Sequence, residues 1–148
     1  MKIKTATLGE VEAYPESFIT LQEGLIGFED HNEFVLLELA DYEPFRWLLS
    51  YTDPGLSFPL LDPKPLIPGY EIKLQESEKQ LLGLEENEEP KIYVIASIDD
   101  EGNQVTVNLR APLIVNARNQ RARQVVLSDG RWEIQHPLLK RTDSSVEV

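Results

Sequence analysis

Ile92-Tyr93-Val94-Ile95-Ala96-Ser97-Ile98, then Asp99-Asp100-Glu101-Gly102-Asn103, then Val105-Thr106-Val107-Asn108-Leu109-Arg110 carries the clearest period in this chain, and the period is two. Ile92, Val94, Ala96 and Ile98 share one face of a strand, with Tyr93, Ile95 and Ser97 on the other. In the second run Val105, Val107 and Leu109 alternate with Thr106, Asn108 and Arg110. Two alternating runs around a polar, glycine-containing loop predict an antiparallel hairpin. The loop superficially matches a calcium loop, but an EF-hand needs a helix on each side, and this segment lies between strands.

Toward the C-terminus, a strand over 123–128 is expected to meet Trp132 and Ile134 across Asp129-Gly130, a dipeptide suited to a type I′ turn. Toward the N-terminus, short runs at Lys2–Thr7, Phe18–Leu21, Phe34–Leu39 and Arg46–Tyr51 are bounded by Gly, Pro, Asp and Asn. Phe34-Val35-Leu36-Leu37 is apolar on both faces and reads as a central strand. Prolines 54, 59, 63, 65 and 68 place an edge strand or a loop-rich crossover between Pro54 and Gly69. That stretch is no interdomain linker, since Leu56, Phe58, Leu60, Leu61, Leu66 and Ile67 would be left exposed. Ser77 and Gln80 at capping-box spacing, Leu74 and Leu81 seven apart, and Gly83 as terminator predict one short helix.

The fold class is therefore mainly β: a single-domain antiparallel β-barrel-like fold with one short helix over residues 1–140, followed by a flexible tail over 141–148. A chain of 148 residues buries about 68–70% of its unfolded surface, enough for a core without staples. It has no cysteine, hence no thiol chemistry and no thiolate metal site. No apolar h-region and no long apolar run occur, so a cytoplasmic protein that neither spans nor sits on a membrane is expected.

Lys plus Arg number 14 against 26 Asp plus Glu, a net charge of -12. Residues 1–104 carry 22 acids and 7 bases, whereas residues 105–148 carry 4 acids and 7 bases. A surface this negative repels phosphate, which argues against direct nucleic-acid binding. Gly24-Leu25-Ile26-Gly27 has the GxxG form of a nucleic-acid clamp, but Glu23, Glu29 and Asp30 flank it. Its glycines are better read as turn or close-approach positions, with Leu25 and Phe28 in the core. Arg118, Arg121, Arg123 and Arg131 form the basic cluster, and pairing with the acidic half of the same chain is its expected use.

Catalysis finds no foothold. His31 and His136 stand apart, neither HExxH nor a Gly-x-Ser-x-Gly elbow occurs, and any carboxylate pair arises by chance among so many acids. The protein reads as a non-enzyme that needs no cofactor and no metal. Binding another protein remains. Glu85, Glu86, Glu88 and Glu89 form one acidic run and Asp99, Asp100 and Glu101 another, and either can steer a basic partner or be a solvated face. Phe45, Trp47 and Phe58 are candidate anchors or core residues.

Several blocks, in order, resemble a known family. Gly24-Leu25-Ile26-Gly27-Phe28-Glu29 with Phe34-Val35-Leu36-Leu37 is similar to the opening signature of the flagellar assembly factor FliW family. Ser57-Phe58-Pro59-Leu60-Leu61-Asp62-Pro63 resembles its next block. Val107-Asn108-Leu109-Arg110-Ala111-Pro112-Leu113-Ile114-Val115-Asn116 resembles its most recognisable stretch, followed by Arg123-Gln124-Val125-Val126-Leu127. The resemblance extends to about His136, with Trp132 where a tyrosine is expected.

It implies a β-barrel-like bacterial protein with two protein partners: the translational repressor CsrA, which blocks translation of flagellin messenger RNA, and flagellin itself. Flagellin held in the cytoplasm would occupy this protein, and its secretion would free the protein to bind the repressor. Within the most signature-like segment Asn108, Arg110 and Asn116 are polar partner-binding candidates, Arg110 through bidentate carboxylate contacts. Asn108 and Asn116 equally suit the satisfaction of backbone groups in a tight, proline-containing turn. A small β-barrel binding module for a ligand or nucleic acid is the alternative reading.

Overall fold

In the computed structural model of this chain, residues 2–5, 8–53, 55–99 and 104–140 are described. The period-two runs form strands, in chain order β1 (Lys2–Thr5), β2 (Gly9–Glu12), β3 (Phe18–Leu21), β4 (Glu33–Glu38), β5 (Arg46–Ser50) and β6 (Ser57–Leu61). A helix, α1 (Glu76–Leu82), precedes β7 (Lys91–Ile98), β8 (Gln104–Val107), β9 (Leu113–Asn116), β10 (Arg121–Gln124) and β11 (His136–Lys140).

The strand order β11-β8-β7-β6-β5-β4-β3-β10-β9, with an added β7–β9 pairing, closes seven strands into a barrel. Closure turns on β7. Its first residues pair with β9 (Lys91 with Val115, Tyr93 with Leu113) and its last with β8 (Ala96 with Val107, Ile98 with Val105). One strand thus belongs to the barrel at one end and to a β8–β11 wing at the other. The predicted β7–β8 hairpin is present; its loop residues Asp100, Glu101, Gly102 and Asn103 lie outside the described residues.

Alternation sorts side chains into one inner and three outer cores. Ile19, Phe34, Leu48, Leu60, Tyr93, Leu113 and Ala122 form a single cluster to which each of the seven barrel strands contributes, so this cluster fills the barrel. The intervening residues face outward. Val35, Leu37 and Leu49 are covered by the β1–β2 hairpin through Ile3 and Val11. Ile114 and Val125 are covered by α1 through Leu82, and Leu61, Val94, Val107 and Leu109 by Phe45, Tyr70 and Trp132. β4, apolar on both faces, lies between β3 and β5 with a core on each side, as a central strand should.

Four expectations about the strands and the helix need correction. The sheet is not wholly antiparallel: β10 pairs parallel with β3, Arg121 with Thr20 and Ala122 with Leu21. The strand expected over 123–128 ends at Gln124, and Trp132 and Ile134 form no hairpin with it. Asp129 does make a turn, but its side chain accepts from the Arg131 N–H while Trp132 packs edge-on against Tyr70 at 4.7 Å. β6 is an interior barrel strand despite Pro59, since it pairs with both β5 and β7. The helix starts after Gln75 without a side-chain cap, so Ser77 and Gln80 form no capping box, and Leu82 rather than Leu81 is the buried contact. Gly83 ends it as expected, left-handed at φ 69°.

At Gly24 (φ 66°) a Cβ would stand 2.6 Å from the Phe28 carbonyl oxygen, so the close approach read from GxxG is present. Leu25 is buried, but Phe28 is over a third exposed (37%), its ring edge-on to Phe58. Phe45, Trp47 and Phe58 are partly buried against three different cores, away from any common patch. Among the described residues no helix is long and apolar enough to cross a membrane.

Candidate partner-binding surface

The polar residues of the 107–116 segment organise the backbone around them. Asn108 follows β8, and its Oδ1 accepts from the N–H groups of Arg110 and Ala111, both at 3.1 Å, fixing the turn into Pro112. The Arg110 Nε donates to the Trp132 carbonyl at 3.3 Å rather than to a carboxylate. Asn116, at the end of β9, is 1% exposed; its Nδ2 donates to the Leu82 carbonyl at 2.9 Å and its Oδ1 accepts from the Arg118 N–H at 3.0 Å. It therefore ties the last turn of α1 to the barrel, and Asn119 adds a second bond to the same carbonyl. Of the two roles open to these asparagines, backbone satisfaction is the one observed.

The acidic run divides. Glu88 is held by Arg118, Nε to Oε2 at 3.0 Å and Nη2 to Oε1 at 3.2 Å, a two-pronged pair. Arg118 also donates to the Gly83 carbonyl at 2.6 Å, at the negative end of α1, and Glu85 stands 4.0 Å away. The Arg118 hydrogen bond holds the Glu88 carboxyl below its ordinary range, and Glu88 raises Arg118 in return. Glu85, Glu86 and Glu89 are exposed.

Asp99, at the far end of β7, accepts from the Gln104 N–H at 3.2 Å, while Asp100 and Glu101 lie outside the described residues. The eight residues of β7 separate the two acidic runs. At about 3.3 Å per residue that is roughly 20–25 Å, so the structure does not merge them into one patch.

Basic residues pair across the charge divide as expected for two of the four. Arg118 joins Glu88, and Arg123 joins Glu23. Arg131 pairs instead with Asp129, Nη2 to Oδ2 at 2.8 Å, and this holds the Asp129 carboxyl down. Arg121 lines a small cleft beside Thr20, Gln22 and Leu81.

Sequence reasoning missed a groove of about 460 Å³ on the α1 side of the barrel. One wall is Glu71, Ile72, Lys73 and Gln75; the other is Val125 to Ser128. Exposure alternates along both walls; 125–128 lies in the alternating run read from the sequence, but 71–75 is a weak strand signal with no turn or partner beside it in the sequence.

Comparison with known proteins agrees with this architecture. A family model described as FliW protein matches residues 2–138. Relatives described as flagellar assembly factor FliW include that of Thermoanaerobacter pseudethanolicus, 36% identical over 141 residues and covering 95% of this chain and 94% of the relative. That of Treponema denticola is 36% identical over 148 residues, covering 98% of each. A crystal structure of the flagellar assembly factor FliW superposes with a TM-score of 0.84 at 31% identity, over 94% of this chain and 97% of the other. With the seven-strand closed barrel, the α1 helix packed on it and this near-full-length match, the chain belongs to the FliW family of flagellar assembly factors.

Proposed function

We propose that this protein is a non-enzymatic, cytoplasmic regulator that binds the translational repressor CsrA, relieving repression of flagellin synthesis. We propose also that it binds cytoplasmic flagellin in a partner-switching feedback. The near-full-length kinship to flagellar assembly factors carries this reading. The charge distribution supports it independently. A repressor that binds messenger RNA presents basic surface, and Glu85, Glu86 and Glu89 offer it exposed carboxylates on a protein of net charge -12.

Mutually exclusive partners make a switch with no covalent step: each tenfold difference in apparent affinity corresponds to about 1.4 kcal/mol of competition. The alternative, a barrel that holds a small ligand, is disfavoured by a positive observation. The interior that would hold the ligand is filled by the cluster built on Phe34, Leu48, Leu60 and Leu113.

Because Glu88 is committed to Arg118, the carboxylates to reverse are Glu86 and Glu89. The double variant Glu86→Lys with Glu89→Lys should slow association with the repressor at low ionic strength and flatten its salt dependence, leaving dissociation nearly unchanged. Stopped-flow association rates that match the parent at low salt would remove steering from that loop.

A further inference from the structure

The groove beside α1 has walls of a particular kind. Residues 125–128 run on from β10, and the Val125 and Leu127 N–H groups donate to the carbonyls of Pro112 (3.0 Å) and Arg110 (2.8 Å). Two bonds spaced two residues apart, to acceptors running the opposite way, are the spacing of an extended antiparallel edge. The N–H and C=O of Val126 between them turn to the other side, toward the groove, and have no hydrogen-bond partner among the described residues.

Across the groove, exposure alternates along residues 71–74, with Ile72 and Leu74 packed inward beside Leu82 and Val125. Their backbone groups, too, make no backbone hydrogen bond among the described residues. Backbone polar groups seek partners, and an open edge of this kind is a template for another strand. Val126 adds a side chain 62% exposed.

We propose that this groove is a docking site for an extended, non-acidic peptide segment of a partner protein, added as a strand along the Val126 edge and facing residues 71–75. Main-chain bonds would give the affinity, and alternate side chains the selectivity. The charge of the lining favours a segment carrying lysine or arginine. Asp129 and Arg131 neutralise each other, which leaves Glu71 and Glu78 against Lys73, on a protein of net charge -12. This inference stands whether or not the acidic 85–89 loop steers the repressor.

The test uses the full chain, labelled for amide hydrogen exchange, and a synthetic probe of alternating lysine and valine. Binding should protect the Val126 and Ser128 amides. It should weaken by at least about tenfold when the alternate peptide nitrogens of the probe that face the edge are methylated, since only main-chain bonds are lost. It should weaken similarly when the lysines become glutamates. Val126→Pro, which removes the edge donor, should reduce binding, while Val126→Thr should not.

Equal binding of the methylated probe, or protection confined to residues outside 70–76 and 125–132, would overturn the proposal. So would protection of Val126 that rises with protein concentration in the absence of peptide, which would assign the groove to a second copy of this chain.

Discussion

Residues 121–124 and 125–128 are one continuous run of chain with different surroundings. The first is β10, paired with β9 on one side and β3 on the other; the second, among the described residues, hydrogen-bonds through its backbone toward residues 110–112 alone. The difference arises in β3. After Leu21 pairs with Ala122 the chain turns at Gly24, and the Gln124 Oε1 accepts from the Ile26 N–H at 2.8 Å, a side chain standing in where the ladder has stopped. Closure protects an edge only as far as its neighbour runs. Stability therefore resides in the paired segment, and the unpaired continuation is left available for recognition.

The widest contrast should appear between the barrel interior and the groove wall. Phe34→Ala removes a side chain that touches no solvent and should cost about 3–5 kcal/mol by denaturant unfolding. Val126→Ala on the open edge should stay within about 0.5 kcal/mol of the parent. Comparable losses at the two sites would mean that the 125–128 edge is covered after all.

Next in size is Asn116→Ala. It strands the Leu82 carbonyl and the Arg118 N–H in a buried place and should cost about 1–3 kcal/mol, with faster amide exchange in α1 than in the barrel strands. Gly24→Ala tests the place where β3 leaves the barrel. With φ at 66° and backbone atoms 2.6–2.7 Å from the added Cβ, it should cost more than about 1 kcal/mol and loosen the Ile26–Gln124 bond.

The smallest effect concerns the locked part of the acidic loop. Arg118 lowers the folded-state pKa of Glu88, so the stability that this pair contributes is fully present above the ordinary carboxylate value of 4.5 and is lost as pH falls through the lower folded value. Glu88→Gln should accordingly be slightly less stable than the parent near neutrality and indistinguishable from it in strong acid. A gap that persists in acid would mean that Glu88 acts by packing rather than by charge.

How much of this was legible beforehand follows from the range of each interaction. The β7–β8 hairpin, the two-faced β4 and the Gly83 helix end are local, set by alternation and by one residue able to adopt positive φ, and each is present, though β8 ends at Val107 where alternation carried the strand to Arg110. The parallel β3–β10 pairing joins residues about a hundred apart and leaves no local trace. The error at 123–128 has the same origin. Alternation there is real and extended chain follows Gln124, but Asp129-Gly130 suggested a local partner, whereas Trp132 is drawn to Tyr70, whose hydroxyl donates to the Leu109 carbonyl at 2.6 Å.

The supposed capping box failed because α1 starts after Gln75, which puts Ser77 inside the helix; Leu74 belongs to the 71–75 wall and Leu82 supplies the helix's buried contact. Within the candidate surface, the polar character of Asn108, Arg110 and Asn116 was legible, but their backbone partners were not. The exceptions are the local turn bonds that Asn108 accepts from the Arg110 and Ala111 N–H groups; the Trp132 carbonyl that Arg110 reaches and the Leu82 carbonyl that Asn116 reaches come from distant parts of the chain. The tail over 141–148 lies outside the described residues.

The central claim is that this protein exchanges one partner for another. Titration calorimetry of the full chain against purified CsrA, against flagellin, and against CsrA with flagellin already bound tests it most directly. Binding of each partner alone, with the repressor's heat abolished or its apparent affinity sharply reduced once flagellin is present, is the predicted result. Failure of either partner to bind, or unaltered binding of the repressor to the flagellin-loaded protein, would contradict it.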